Sequence, residues 1–191
     1  MRLIIIDGLD AVGKDTHAKL IKKRYEDRGE KVVIRSHPES DNFFGRKAKK
    51  ALLGHKKIDK LFASVFYMFD VLRSVKKYYH KKECDTLIMV RYLMGTAYLP
   101  SRLTKYAYTF FENFVPTSDY MFFLDAPPSV LLERVKNRSE KEMFETFDEL
   151  LKVRKKALLL AEHWNIVDTS GSPMDTFSHI ERMLDRLDRR K

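Results

Sequence analysis

A chain of 191 residues with 44% hydrophobic content can bury a substantial core in one domain of ordinary size, which excludes disorder. No apolar run approaches the ~20 residues that cross a bilayer, the single Cys84 permits no internal disulfide, and no Cys/His cluster points to zinc. The formal charge of +10 invites a nucleic-acid reading, but the Lys and Arg residues are interleaved with apolar ones at helical spacing, which favours solvated faces and anionic nucleotides.

The first expected element is a strand over Leu3–Asp7, whose early acid and short apolar run do not make a signal peptide, so a cytoplasmic location is expected. Directly behind it stands Gly8-Leu9-Asp10-Ala11-Val12-Gly13-Lys14-Asp15-Thr16. Strand, Gly-x4-Gly-Lys, then helix is the arrangement that cradles phosphates. The glycines permit positive φ and turn backbone N–H groups inward, the helix N-terminus adds its positive dipole end, and Lys14 brings a mobile charge for the outer phosphates. Position 15 departs from the motif, because Asp15 stands where a Ser or Thr hydroxyl would bind Mg²⁺. Thr16 either brings its hydroxyl near the phosphates or caps the first helical turn.

Helices are expected over 14–28, 43–53, 60–80, 94–113, 127–138, 145–163 and 174–189, with further strands over Lys31–Arg35, Thr86–Val90, Tyr120–Asp125 and Asn165–Asp168. The strands are short apolar runs of the kind buried on both faces of a parallel sheet, and the helices space their apolar residues three and four apart. Their alternation implies right-handed βαβ units and an α/β fold, a doubly wound five-stranded parallel sheet flanked by helices. Ligands of such sheets bind beyond the C-terminal strand ends, which gathers the glycine-rich loop, Arg35 to Glu39, Arg91-Tyr92 and Asp125 to Pro128. Asp125 is expected to cap the helix opened by Pro127-Pro128. No linker or repeat divides 1–191, so a single domain is expected, with the charged segment at roughly 136–145 either a lid or a solvated turn.

In series, these stretches resemble the thymidylate kinases among the nucleoside monophosphate kinases. Gly-x-Asp-x-x-Gly-Lys at 8–14 carries the likeness first. Arg35-Ser36-His37-Pro38-Glu39 is similar to the family's Arg-x-Pro-Glu segment, and Phe69-Asp70-Val71-Leu72-Arg73 to its Phe-x-x-x-Arg. Arg91-Tyr92 matches the end of its Asp-Arg-Tyr, while Leu124 to Pro128, Arg134 to Arg138 and Phe144-Glu145 track its fourth strand, lid and following helix. The chain departs at Asp15, at Val90 in place of the family Asp, at Ser40, at Gly95 in place of the usual Ser, after Ala97-Tyr98 where no Gln follows, and at Met143 in place of a lid Arg.

The resemblance implies ATP- and Mg²⁺-dependent phosphoryl transfer to a nucleoside monophosphate, dTMP by default. It implies that Lys14, Arg91 and a lid residue, Arg138, neutralise the transferring group, with Gly8, Asp10, Ala11, Val12, Gly13, Asp15 and Thr16 around the ATP phosphates and Ser170-Gly171 beside adenine. Asp10 would accept from the acceptor's 3′-hydroxyl, Phe69 and Arg73 would hold its base, and Arg35, Pro38, Glu39, Arg91 and Tyr98 would line the remainder. Plainer readings stand beside these: core packing for Phe69, loop stabilisation for Asp10, a sheet-edge salt bridge for Arg91, a solvated charge run for Arg138. For the metal, Asp15 with Thr16 either takes over the carboxylate lost at Val90 or marks a decayed site. Another acceptor, a nucleotide-binding protein without turnover acting through a partner, and a nucleic-acid binder are the competing functions, the last disfavoured. The family's homodimers use helices of the 43–80 and 94–113 type, and the aromatic stretches Phe62–Phe69 and Tyr106–Phe114 offer either such a surface or core packing.

Overall fold

Strands β1 (Arg2–Gly8), β2 (Val32–Ser36), β3 (Thr86–Val90), β4 (Met121–Asp125) and β5 (Asn165–Asp168) form one sheet in the order β2-β3-β1-β4-β5, with every pairing parallel. The structure is a computed structural model that describes residues 1–52, 57–136 and 147–190, and the side chains of all of these except 57–61. Ile4, Ile5, Ile6, Leu87, Ile88, Met89, Phe122 and Phe123 are fully buried. Strands covered on both faces must be apolar along their length, which is why these segments carry continuous runs instead of alternation.

The helices are α1 (Lys14–Glu26), α2 (Phe43–Leu52), α3 (Lys57–Ser74), α4 (Ser101–Glu112), α5 (Pro128–Lys136), α6 (Phe147–Leu160) and α7 (Pro173–Asp188). The central strand β1 has β3 on one side and β4 on the other. Crossovers therefore leave it in opposite directions, and a crevice opens beyond its C-terminal end, where the glycine-rich loop lies.

Two expected helices differ in outline. The segment 94–113 is a 3₁₀ turn, Met94–Tyr98, followed by α4. Leu99 between them is extended (φ −70°, ψ 160°), because the ring of Pro100 bars the residue before it from the helical region. The segment 60–80 begins earlier, at Lys57, and beyond Ser74 continues as a π-helical turn, Val75–Tyr79. Among the described residues no helix is long and apolar enough to cross a membrane.

Candidate active site

The glycine-rich loop owes its course to three residues with positive φ. Gly8 lies at φ 147° with the Leu124 carbonyl so close that a Cβ would meet its oxygen at 2.2 Å. Ala11 (φ 65°) and Gly13 (φ 87°) complete the turn into α1. Lys14 is buried and folds back over the loop, its Nζ donating to the carbonyls of Gly8 at 2.9 Å and Leu9 at 2.5 Å. Burial lowers its pKa to about 8, even though the Asp10 carboxylate, 3.6 Å away, opposes that shift. Asp10 in turn accepts from the hydroxyl of Tyr98 at 2.9 Å.

Asp15 and Arg91 meet at the mouth of this loop. The Arg91 Nη2 lies 3.2 Å from Asp15 Oδ2, and Ser36 joins them, donating to Asp15 Oδ1 at 2.7 Å while accepting from Arg91 Nη1 at 2.9 Å. Burial pushes the Asp15 carboxyl up, but the Arg91 charge and the Ser36 hydroxyl outweigh it and hold it below the usual carboxylate range. Thr16 is exposed on the same first turn of α1. Val90 belongs to the hydrophobic core, so the end of β3 supplies no carboxylate.

Beyond β2 the chain passes through a cis His37-Pro38 bond into α2. Glu39 turns back to accept from the Ser36 N–H at 2.8 Å, while its own N–H donates to Asp70 at 2.7 Å. Asp70 also accepts from Asn42 at 2.6 Å, and Asn42 accepts from the Gly45 N–H at 3.0 Å. Gly45 is required here: a Cβ would lie 1.8 Å from the Glu39 carbonyl oxygen. Asp41 stands between the two arginines of this region, 3.0 Å from Arg35 and 3.7 Å from Arg73. Hydrogen bonding from Arg35 and Asn42 and the Arg73 charge outweigh burial and hold the Asp41 carboxyl far below the usual range. Phe69 lies outside the core, 44% exposed and stacked on Phe44 at 5.4 Å.

On the opposite side of the loop, Arg134 spans from the Ala11 carbonyl at 3.3 Å to the Thr169 carbonyl at 2.6 Å, joining the glycine-rich loop to the turn that carries Ser170 and Gly171. Ser170 bonds to Asp168 through N–H and hydroxyl, and Gly171 has open space around it. The expected capping role of Asp125 is not found. Its carboxylate is held by Arg154 through two bonds of 2.8 and 2.7 Å, since a bidentate guanidinium is a stronger partner than a helix N–H. Arg138 and most of the expected lid at 136–145 lie outside the described residues.

The structure thus brings together Lys14, Asp10, Tyr98, Asp15 and Arg91 at the loop, and Arg35 with Arg73 around Asp41. Four participants escaped the sequence reading. Asp7 accepts from the N–H groups of Tyr92, Leu93 and Met94 at 2.8, 2.8 and 3.0 Å, and its only signal was an acid closing an aliphatic strand. Tyr67, whose hydroxyl donates to the Arg91 carbonyl, stood among four consecutive apolar or aromatic residues. Asp41 and Arg154 gave no signal, because their partners are distant in sequence or sit in an irregular turn.

A parallel sheet whose central strand runs into a glycine-rich loop over a buried lysine, with an arginine delivered beside it by the neighbouring strand, defines a P-loop kinase fold. The family model described as thymidylate kinase matches residues 6–180. The chain belongs to the thymidylate kinase family. Among its relatives, a probable thymidylate kinase of Archaeoglobus fulgidus is 29% identical over 91% of this chain and 89% of its own. One of Pyrococcus horikoshii is 30% identical over 93% and 92%. A solved structure of thymidylate kinase from Candida albicans superposes with a TM-score of 0.75 over 100% of this chain and 93% of its own, at 17% identity, which is a likeness of fold.

Proposed function

We propose that the chain transfers the γ-phosphoryl group of ATP to dTMP, yielding ADP and dTDP, as one domain over 1–191. The convergence of Lys14, Asp15 and Arg91 at the crevice beyond β1 and β3 carries this reading, supported by membership of the family. Phosphoryl transfer asks little covalent chemistry of a protein, so positioning and neutralisation of spreading charge carry the rate. The Lys14 ammonium, released from the Gly8 and Leu9 carbonyls, meets the β- and γ-phosphates, and backbone N–H groups of residues 8–16 hold the rest of the chain of phosphates. Arg91 exchanges Asp15 for the phosphates of donor and acceptor, where its planar fork binds two oxygens at once. On the acceptor side Phe69 offers a ring face and Arg73 a donor to the base, with Arg35, Pro38 and Glu39 shaping the wall. Asp10, held by Tyr98, faces the sugar. Ser170 and Gly171 border the adenine.

The residues present fit Mg²⁺. Asp15 is an ionised, half-exposed oxygen donor beside the phosphate loop, with Thr16 next to it. Among the described residues no group of three or more His, Cys, Asp or Glu could hold a metal, which suits a cation that takes most of its ligands from phosphate and water. When bound, the ion neutralises phosphate charge. The exposed aromatic side chains of α2–α3 (Phe43, Phe62) and α4 (Tyr106, Phe110) support a homodimer.

The test is direct: purified protein with ATP, Mg²⁺ and a panel of nucleoside monophosphates led by dTMP, with ADP and phosphorylated product followed together. Formation of dTDP is the expected result. Product from another monophosphate alone, or nucleotide binding with no product, overturns the assignment.

A further inference from the structure

Arg91 has a left-handed backbone (φ 55°), a conformation that is strained for a residue with a side chain and persists only where its surroundings over-determine it. Here they do so atom by atom. The Arg91 N–H donates to the Ile6 carbonyl at 3.1 Å. The Val90 carbonyl before it accepts from the His37 N–H at 3.0 Å and faces His37 Nδ1 at 3.3 Å. After it, three successive N–H groups converge on Asp7. The Arg91 carbonyl itself accepts from the Tyr67 hydroxyl.

Tyr67 is placed closely. The His37 ring meets it edge-on at 6.4 Å, and Gly95 lies so near that a Cβ there would come to 3.1 Å from Cε1 and 3.3 Å from Cζ of its ring. Burial, reinforced by the nearby Asp7 charge, pushes the phenol well above its ordinary value, so the hydroxyl remains a donor. Tyr67 also stands on α3, the helix that carries Phe69 and Arg73.

We propose that Tyr67 is a positioning residue for phosphoryl transfer: through the Arg91 carbonyl it fixes the direction of the Arg91 guanidinium and ties the helix that holds the acceptor base to the arginine at the phosphates. The inference rests on the kinase reading above. Its consequence is that seating of the acceptor reaches kcat as well as KM. The Gly95 position belongs to the same device, because a larger residue there pushes the ring away from its acceptor.

Tyr67→Phe removes only the hydroxyl. The expected result is a fall in kcat of about tenfold, with KM for ATP within about twofold of the parent. In an Arg91→Ala background the same change is expected to alter kcat by less than about twofold, because residues acting as a unit are not additive. Gly95→Ala, which keeps the hydroxyl and displaces the ring, is expected to reproduce part of the loss and serves if Tyr67→Phe does not fold. ¹⁵N relaxation at Arg91 Nε reads the same relation without turnover: ordered in the parent, mobile in the variant. An unchanged kcat, an equal loss in the Arg91→Ala background, or an equally ordered Arg91 in both proteins overturns the proposal. Absence of dTDP formation by the parent overturns the kinase reading instead, and the relaxation measurement then still decides the role of Tyr67.

Discussion

The hydroxyl of Tyr98 donates to Oδ2 of Asp10 at 2.9 Å, joining the 3₁₀ turn after β3 to the middle of the phosphate loop. Asp10 also lies 3.6 Å from Lys14. A carboxylate shared in this way has its direction set by the hydroxyl and its charge balanced by the ammonium. Tyr98→Phe is expected to raise KM for dTMP about tenfold, the worth of one hydrogen bond to a charged group, and to leave KM for ATP within about twofold. Initial rates with each substrate varied in turn decide it.

Asp15 places a carboxylate beside Arg91 at the mouth of the phosphate loop, while Val90 at the end of β3 is buried in the core. With Asp15→Ser, the Mg²⁺ concentration for half-maximal rate is expected to rise about tenfold, as a charged oxygen ligand is replaced by a neutral one. A magnesium titration of the rate, beside a thermal melt to show the fold intact, makes the measurement. An unchanged magnesium requirement removes Asp15 from the metal.

His37 is buried, its Nε2 2.9 Å from the Ser74 hydroxyl, and burial lowers its pKa to about 4 against the opposing Asp70 charge, with Arg35 adding to the fall. The unfolded chain then binds a proton that the native one refuses, between an ordinary histidine value of about 6.5 and about 4. Stability from this group is complete above about pH 6.5 and is lost progressively as pH falls toward 4, to a limit of about 3 kcal/mol. Denaturant unfolding of the parent and of His37→Gln at pH 7 and pH 4.5 is expected to show a gap between the two proteins that narrows at the lower pH.

Arg154 grips Asp125 with two bonds of 2.8 and 2.7 Å and so fastens α6 to the end of β4. Arg154→Ala is expected to cost about 1–2 kcal/mol, because the partly buried carboxylate loses a bidentate partner. For a chain of this size that corresponds to a fall in melting temperature of about 3–6 °C. The double variant with Asp125→Ala is expected to lose little more than either single one.

The sheet was readable because buried parallel strands must be continuously apolar, and the runs at Leu3–Asp7 and Thr86–Val90 could hardly be anything else. Lys14 and Arg91 were readable because a motif of fixed spacing and the end of the next strand place them. The break at Leu99-Pro100 was blurred by helical periodicity on both sides, although the proline marked it. Tyr67 and Asp41 were hidden for a different reason. Their roles consist of contacts with the Arg91 carbonyl and with Arg35 and Arg73, and a backbone carbonyl 24 residues away leaves no trace in a pattern of side chains.

Lys14 spends its hydrogen bonds on the Gly8 and Leu9 carbonyls. Any phosphate that recruits this ammonium must compete with two acceptors it already has, so affinity reflects an exchange of partners and not the full strength of a new ion pair. The same competition works in reverse after transfer, when the carbonyls stand ready to reclaim the charge. A lysine partnered in this way would hold a phosphate less tightly than one standing free, and would let it go more readily.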